Sequence, residues 1–187
     1  KPGINFYDST TLMQDATGFC AALDLMESYA RSRGTQKVVA IEARGLIFGA
    51  ALADRLNVGI VPARKPGKLP YETVFEEYAL EYGTDRLHLH ADAVKAGERV
   101  LIVDDLVATG GTLKAVCNLV ERLGGEVAGI STVVELSFLP WREVLENAGF
   151  EIVYPQGDCT NLSADEFLKQ LHGVDCTLAS VEKYSEA

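Results

Sequence analysis

The chain has 187 residues, 48% of them apolar and 24% charged, which suits a globular domain that buries its own core without metal or disulfide staples. Its formal net charge of -10 argues against non-specific binding to nucleic acid or an anionic membrane surface, though a local basic site can sit within an acidic protein. No apolar run approaches the ~20 residues of a membrane span, no signal-peptide pattern is seen, and Cys20, Cys117, Cys159 and Cys176 form no CxxC, so a cytoplasmic, reducing setting is expected.

Residues 1–11 read as an irregular lead-in, with Pro2-Gly3 and Asp8-Ser9-Thr10 as turn signals. Phe19, Ala22, Leu23, Met26 and Ala30 then recur at helical spacing, predicting a helix over 15–33 stopped by Gly34. A β-branched strand is predicted over 37–41, an Ala- and Leu-rich helix over 45–56 and a strand over 59–63. The polar stretch 64–76, with Pro66, Gly67 and Pro70, reads as a long loop, and 78–90 as two strands around Gly83-Thr84-Asp85. Val100-Leu101-Ile102-Val103 is the clearest strand, and Leu113, Val116, Cys117, Val120 and Leu123 form a helical stripe closed by Gly124-Gly125. Strands follow over 127–136 and 150–154. Beyond 155, Ser163 and Glu166 have capping-box spacing for a short helix over 164–172. Alternation of strands and helices predicts an α/β fold with a mainly parallel sheet flanked by helices, which binds ligands beyond the carboxyl ends of its strands.

The segment 100–112, VLIVDDLVATGGT, carries the chemistry. A strand runs into Asp104 and Asp105, and Ala108, Thr109, Gly110, Gly111 and Thr112 then lead into a helix. Glycines let main-chain N–H groups approach an anion, and the helix start adds orphan donors and partial positive charge. The result is a phosphate cradle without the Lys of a Walker A loop and without a GxGxxG pattern. Two acids beside a phosphate make sense only if they face hydroxyls or a cation, as a ribose 5-phosphate would provide. Further along, Glu42-Ala43-Arg44-Gly45 is again a strand end, a turn and a helix start, and Arg64, Lys65 and Lys68 put three cations in five residues.

With these residues in view, VLIVDDLVATGGT resembles the phosphoribosyl-pyrophosphate signature of the type I purine phosphoribosyltransferases, and is most similar to the branch that uses adenine. The resemblance runs over about residues 2–151 and implies a domain over 1–154 with a small hood and a mobile loop, followed by an extension over 155–187. It implies that Asp104 and Asp105 face the ribose hydroxyls and that Ala108 to Thr112 wrap the 5-phosphate. Glu42, Ala43 and Arg44 resemble the pyrophosphate loop, where a cis peptide at Glu42–Ala43 is implied, and Arg64, Lys65 and Lys68 are implied to contact pyrophosphate. Tyr78-Ala79-Leu80-Glu81-Tyr82-Gly83 resembles the end of the mobile loop, with Glu81 handling the purine proton and Tyr82 near the reacting centre. Asn5, Phe6 and Tyr7 resemble the base-side segment, although relatives commonly carry an aliphatic residue in place of Asn5 and Arg in place of Tyr7. The implied reaction joins adenine to phosphoribosyl pyrophosphate, giving AMP and pyrophosphate, with Mg2+ held mainly by substrate oxygens and Arg44 stabilising the leaving group. The implied assembly is a homodimer. Another purine base (hypoxanthine, guanine or xanthine) and a non-catalytic phosphoribosyl-pyrophosphate sensor are the alternatives. His88 and His90 share one strand face and read as a solvated polar face rather than a metal pair.

Overall fold

The computed structural model describes residues 9–80, 83–136, 138–153 and 179–183. The readings on Asn5, Phe6, Tyr7, Glu81, Tyr82 and the 164–172 helix lie outside the described residues. The chain enters through α1 (Thr10–Gln14) and α2 (Ala16–Ser32). Asp15 separates them, and its Oδ1 accepts the Gly18 N–H at 2.6 Å, capping α2. The lead-in predicted as irregular is therefore helical from Thr10, because Leu12 is fully buried and anchors the short helix in the core.

Six strands form the main sheet in the order β2-β1-β5-β6-β8-β7. β1 (Lys37–Ile41), β2 (Gly59–Ala63), β5 (Arg99–Val107) and β6 (Glu126–Glu135) are mutually parallel. β8 (Ala179–Lys183) runs antiparallel between β6 and β7 (Phe150–Val153). The sheet is mainly parallel as expected, and part of the stretch beyond 155 is one of its strands.

Both faces of the sheet are covered, which explains the unbroken apolar runs. Val39, Ile41, Val100 and Ile102 point to one side and pack with Leu113, Val116 and Val120 of α4 (Gly111–Arg122). Val38, Ala40, Leu101 and Val103 point to the other and pack with Met26 of α2 and Phe48 and Leu52 of α3 (Gly45–Leu56). The short α5 (Trp141–Glu146) buries Trp141 and Leu145 on the α4 side.

β3 (Thr73–Leu80) and β4 (Gly83–His90) form a separate antiparallel pair, in register from Thr73 opposite His90 to Leu80 opposite Gly83. This corrects the reading of 64–76 as loop: the first strand begins at Thr73. Glu76 and Glu77 masked the alternation, yet Val74 packs on the core while Phe75 is exposed. The pair is tied to the end of β2 by two main-chain bonds between Arg64 and His88, of 3.0 and 2.7 Å.

α3 lies unusually close to β1. A Cβ built on Gly49 would sit 2.4 Å from the Ala40 Cβ, a contact with no flexible side chain to yield. Overpacking here outweighs the ~1 kcal/mol that alanine gains over glycine within a helix. Gly49→Ala is therefore expected to lower the unfolding free energy by about 1–2 kcal/mol in a urea titration; an unchanged or raised midpoint contradicts the close approach.

Candidate active site

Parallel pairing of β2, β1 and β5 brings the three strand ends that carry the candidate residues to one edge of the sheet. At the end of β5, Asp105 is 5% exposed. Its Oδ2 lies 2.7 Å from the Arg44 Nε and 2.6 Å from the Ser9 Oγ, so two donors from distant parts of the chain converge on one oxygen. Arg44 comes from the β1–α3 turn, where the Glu42–Ala43 peptide is cis and Ala43 is exposed. That turn is pressed against β5: a Cβ on Gly45 would meet Asp104 Oδ1 at 2.8 Å, Asp104 Cα at 2.9 Å and the Val103 carbonyl at 2.9 Å. Only glycine allows the two loops this approach.

Asp104 accepts the Asp105 N–H at 2.9 Å. Desolvation first, and the neighbouring Asp105 carboxylate second, push the Asp104 pKa well above the ordinary value, against a smaller lowering from that N–H and from Arg44. Asp105 is charge-compensated by Arg44 and Asp104 is driven towards its neutral form. Burial and the adjacent carboxylate thus disfavour a second full charge beside Asp105, which eases the placing of two acids beside a phosphorylated sugar.

Ala108, Thr109 and Gly110 connect β5 to α4. Gly110 is the N-cap at φ +79°, and a Cβ there would meet the Trp141 carbonyl at 3.1 Å and Val144 Cβ at 3.3 Å. α5 therefore walls the turn from behind. No side chain caps α4, so its first N–H groups are left to whatever anion occupies the turn. Behind this wall, the Arg142 guanidinium reaches both Glu135 carboxylate oxygens, at 2.8 and 2.9 Å, and lies 4.9 Å from the Trp141 ring centroid.

The cations divide. Arg64 is paired with Glu42, whose carboxylate also accepts the Lys65 N–H at 3.0 Å. Burial alone would raise the Glu42 pKa, but the Arg64 bond, the Lys65 N–H and the charges of Arg64 and Lys68 outweigh it and hold the carboxyl below the ordinary value. The Lys65 Nζ sits 2.9 Å from Asp85 Oδ2, and this contact raises the Lys65 pKa and lowers that of Asp85. A pyrophosphate at Lys65 would share its ammonium with Asp85 or displace that carboxylate. Lys68 is exposed in the turn beyond.

The hairpin leans over the cradle. The Tyr78 hydroxyl lies between Asp85, at 3.5 Å, and the Thr112 side chain; burial raises its pKa, with Thr112 acting in the opposite sense. A Cβ on Gly111 would come within 3.4 Å of the Ala79 carbonyl. Between hairpin and helix is a cavity of about 420 Å³ lined by Tyr78, Ala79, Thr109, Gly111, Lys114 and Val144, among others. The last described residues of the hairpin, Leu80 and Gly83, flank Glu81 and Tyr82 in sequence.

The structure thus brings Arg44, Asp104, Asp105 and the 108–112 turn together, and sets Glu42 with Arg64 and Lys65 on the neighbouring strand ends. Sequence reasoning placed Gly45 in the arginine turn without its close approach to Asp104, and missed Ser9, Asp85 and the Glu135–Arg142 pair as parts of this region. The sequence showed Ser9 only as one of the turn residues of the lead-in, which does not point to Asp105. No group of three or more His, Cys, Asp and Glu able to hold a metal occurs among the described residues, and no described helix is long and apolar enough to cross a membrane.

The sequence and the fold match known relatives. The phosphoribosyl transferase domain family matches residues 16–137. The adenine phosphoribosyltransferase of Thermotoga neapolitana is 54% identical over 152 residues, 81% of this chain and 88% of that protein. That of Solidesulfovibrio magneticus is 52% identical over 153 residues, 82% of this chain and 90% of its own length. Among solved structures, adenine phosphoribosyltransferase from Thermoanaerobacter pseudethanolicus superposes with a TM-score of 0.75 at 52% identity, covering 78% of this chain and 85% of that one. The Saccharomyces cerevisiae enzyme, solved with an imino-altritol bisphosphate and adenine, gives 0.72 at 37% identity, covering 75% and 82%. On these matches the chain belongs to the phosphoribosyltransferase family, among its adenine phosphoribosyltransferase members.

Proposed function

We propose that the chain transfers the phosphoribosyl group of phosphoribosyl pyrophosphate to adenine, giving AMP and pyrophosphate. The observation that carries this reading is the Asp104–Asp105 pair at the end of β5, joined to Arg44 and followed at once by the uncapped start of α4. Relatives more than half identical to it carry the adenine name, and the yeast structure holds adenine, which favours that base over hypoxanthine, guanine and xanthine.

In this reading the main-chain N–H groups of 110–112, with Thr109 and Thr112, grip the 5-phosphate. Asp104 and Asp105 orient the ribose hydroxyls. A purine nitrogen forms a bond to the anomeric carbon as its bond to pyrophosphate oxygen breaks, and the electron pair leaves with pyrophosphate. Arg44, Arg64, Lys65 and Lys68 stabilise charge arriving on that group. Glu81 takes the proton of the base's imidazole ring. Tyr82 borders the reacting centre, and Asn5, Phe6 and Tyr7 hold the base. The hairpin, already seated on the cradle through Tyr78 and Ala79, excludes water that would hydrolyse the activated sugar.

The carboxyl pair also suits Mg2+, which takes one or two carboxylates at most alongside substrate phosphates and water. One Asp105 oxygen is already occupied by Arg44 and Ser9, so the ion would be held chiefly by substrate, where it supplies charge neutralisation on the leaving group. A homodimer working in the cytoplasm, with residues 1–154 as the catalytic unit and 155–187 adding a strand to its sheet, completes the reading.

Pyrophosphate release measured with phosphoribosyl pyrophosphate and each purine base is expected to be fastest with adenine, with kcat/KM lower by about 10²-fold or more for the 6-oxopurines. A preference for hypoxanthine or guanine would transfer the assignment to another base, and binding without any release would make the chain a sensor. Glu81→Gln is expected to lower kcat by ~10²-fold; full turnover on adenine removes Glu81 from the proton transfer. Gly110→Ala places a Cβ against the Trp141 carbonyl at positive φ, and is expected to raise KM for phosphoribosyl pyrophosphate by roughly 10-fold or more through a distorted cradle. An unchanged KM shows that the 5-phosphate does not bind at this turn.

A further inference from the structure

Ser9 stands where a helix N-cap belongs, immediately before α1, with φ -70° and ψ -4°. Serine at that position ordinarily accepts a hydrogen bond from an N–H of the first turn. Here its side chain makes no capping bond; the hydroxyl donates to Asp105 Oδ2 at 2.6 Å, across 96 residues of sequence. The contact is buried, with Ser9 3% and Asp105 5% exposed, and Leu12, one turn later, is fully buried and fixes α1 in place. The same Oδ2 takes the Arg44 Nε at 2.7 Å. One oxygen atom therefore joins three segments: the start of α1, which follows in sequence the residues proposed to contact the base, the arginine turn, and the end of β5.

We propose that Ser9 is a positioning residue for the reaction, acting through Asp105. The hydroxyl completes the donor set of a buried carboxylate oxygen, so the Asp105 side chain is held in one rotamer with Arg44 docked on it. The same bond sets where α1 starts relative to the end of β5. Loss of the hydroxyl leaves Arg44 as the sole described donor to Oδ2 and frees the start of α1 from the end of β5. Phosphoribosyl pyrophosphate is then bound by a less organised carboxyl pair, and the start of α1, which follows the proposed base contacts, is no longer referenced to it. This role rests on the proposed reaction and deepens it.

The test is a double-mutant cycle in the full chain, with Ser9→Ala, Asp105→Asn and the double variant. It is read by calorimetric binding of Mg2+-phosphoribosyl pyrophosphate without base, by KM and kcat with adenine, and by thermal melting. Ser9→Ala is expected to weaken binding of the activated sugar by ~10-fold, the scale of a buried hydrogen bond to a charged group, and to raise KM for both substrates more than it lowers kcat. In the Asp105→Asn background the same change is expected to cost less than about 2-fold, because the partner oxygen's charge is already gone. Ser9→Thr, which keeps the hydroxyl, is expected to recover most of the affinity. Equal costs of Ser9→Ala in both backgrounds, or a lowered melting temperature with unchanged binding and KM values, overturn the positioning role and make Ser9 a packing residue. If the unaltered chain releases no pyrophosphate with any base, the proposed reaction fails, while the calorimetric cycle still decides whether Ser9 organises the sugar site.

Discussion

The ion pair between Arg44 and Asp105 is the contact on which the candidate site depends. It joins the turn after β1 to the end of β5, and it compensates a carboxylate that is 5% exposed. Removing one partner of such a pair leaves an uncompensated buried charge, which costs far more than the intact pair contributes. The close approach of Gly45 to Asp104 and the Val103 carbonyl makes the geometry possible, since any side chain at 45 would push the arginine turn away from β5. In the proposed reading the pair brings a cation for the leaving group and carboxyls for the sugar to a fixed spacing.

Charge in the site is otherwise arranged in pre-formed partnerships. Arg64 is held by Glu42, Lys65 by Asp85, and Asp104 is driven towards neutrality by burial and by Asp105. In the proposed reading a sugar carrying a phosphate and a pyrophosphate enters a region where Arg44, Arg64 and Lys65 are already held on acids. The cost of assembling like charges is met during folding, and binding becomes an exchange of partners. Tyr78, Thr112 and Asp85 extend this arrangement into the hairpin, so the position of the hairpin and the state of the Lys65 ion pair are mechanically linked.

Much of this was legible in the sequence, for physical reasons that differ from part to part. Strands β1 and β5 are buried on both faces and so read as unbroken apolar runs, and α4 shows its stripe because one face alone meets the sheet. The cradle was legible because its glycines and threonines have a chemical purpose at a strand-to-helix turn. β3 was read too short because Glu76 is tied to Asn118 and Arg122 of α4 and Glu77 to Arg86 of β4, and neither carries a burial signal of its own. β8 was missed because five residues, Ala179–Lys183, become a strand by pairing with β6 and β7, which local pattern does not encode. Ser9 was missed because its partner Asp105 lies 96 residues away, and a local turn signal carries no trace of such a contact.

The most direct measurement is an amide NMR titration of the full chain with Mg2+-phosphoribosyl pyrophosphate in the absence of base. A cradle that grips the 5-phosphate will shift the backbone N–H resonances of Thr109, Gly110, Gly111 and Thr112 together, saturating with the same affinity as the change at Asp104 and Asp105. Saturation of the protein with the activated sugar while those resonances stay where they were would show that the sugar binds elsewhere, and the site described at the end of β5 would lose its function.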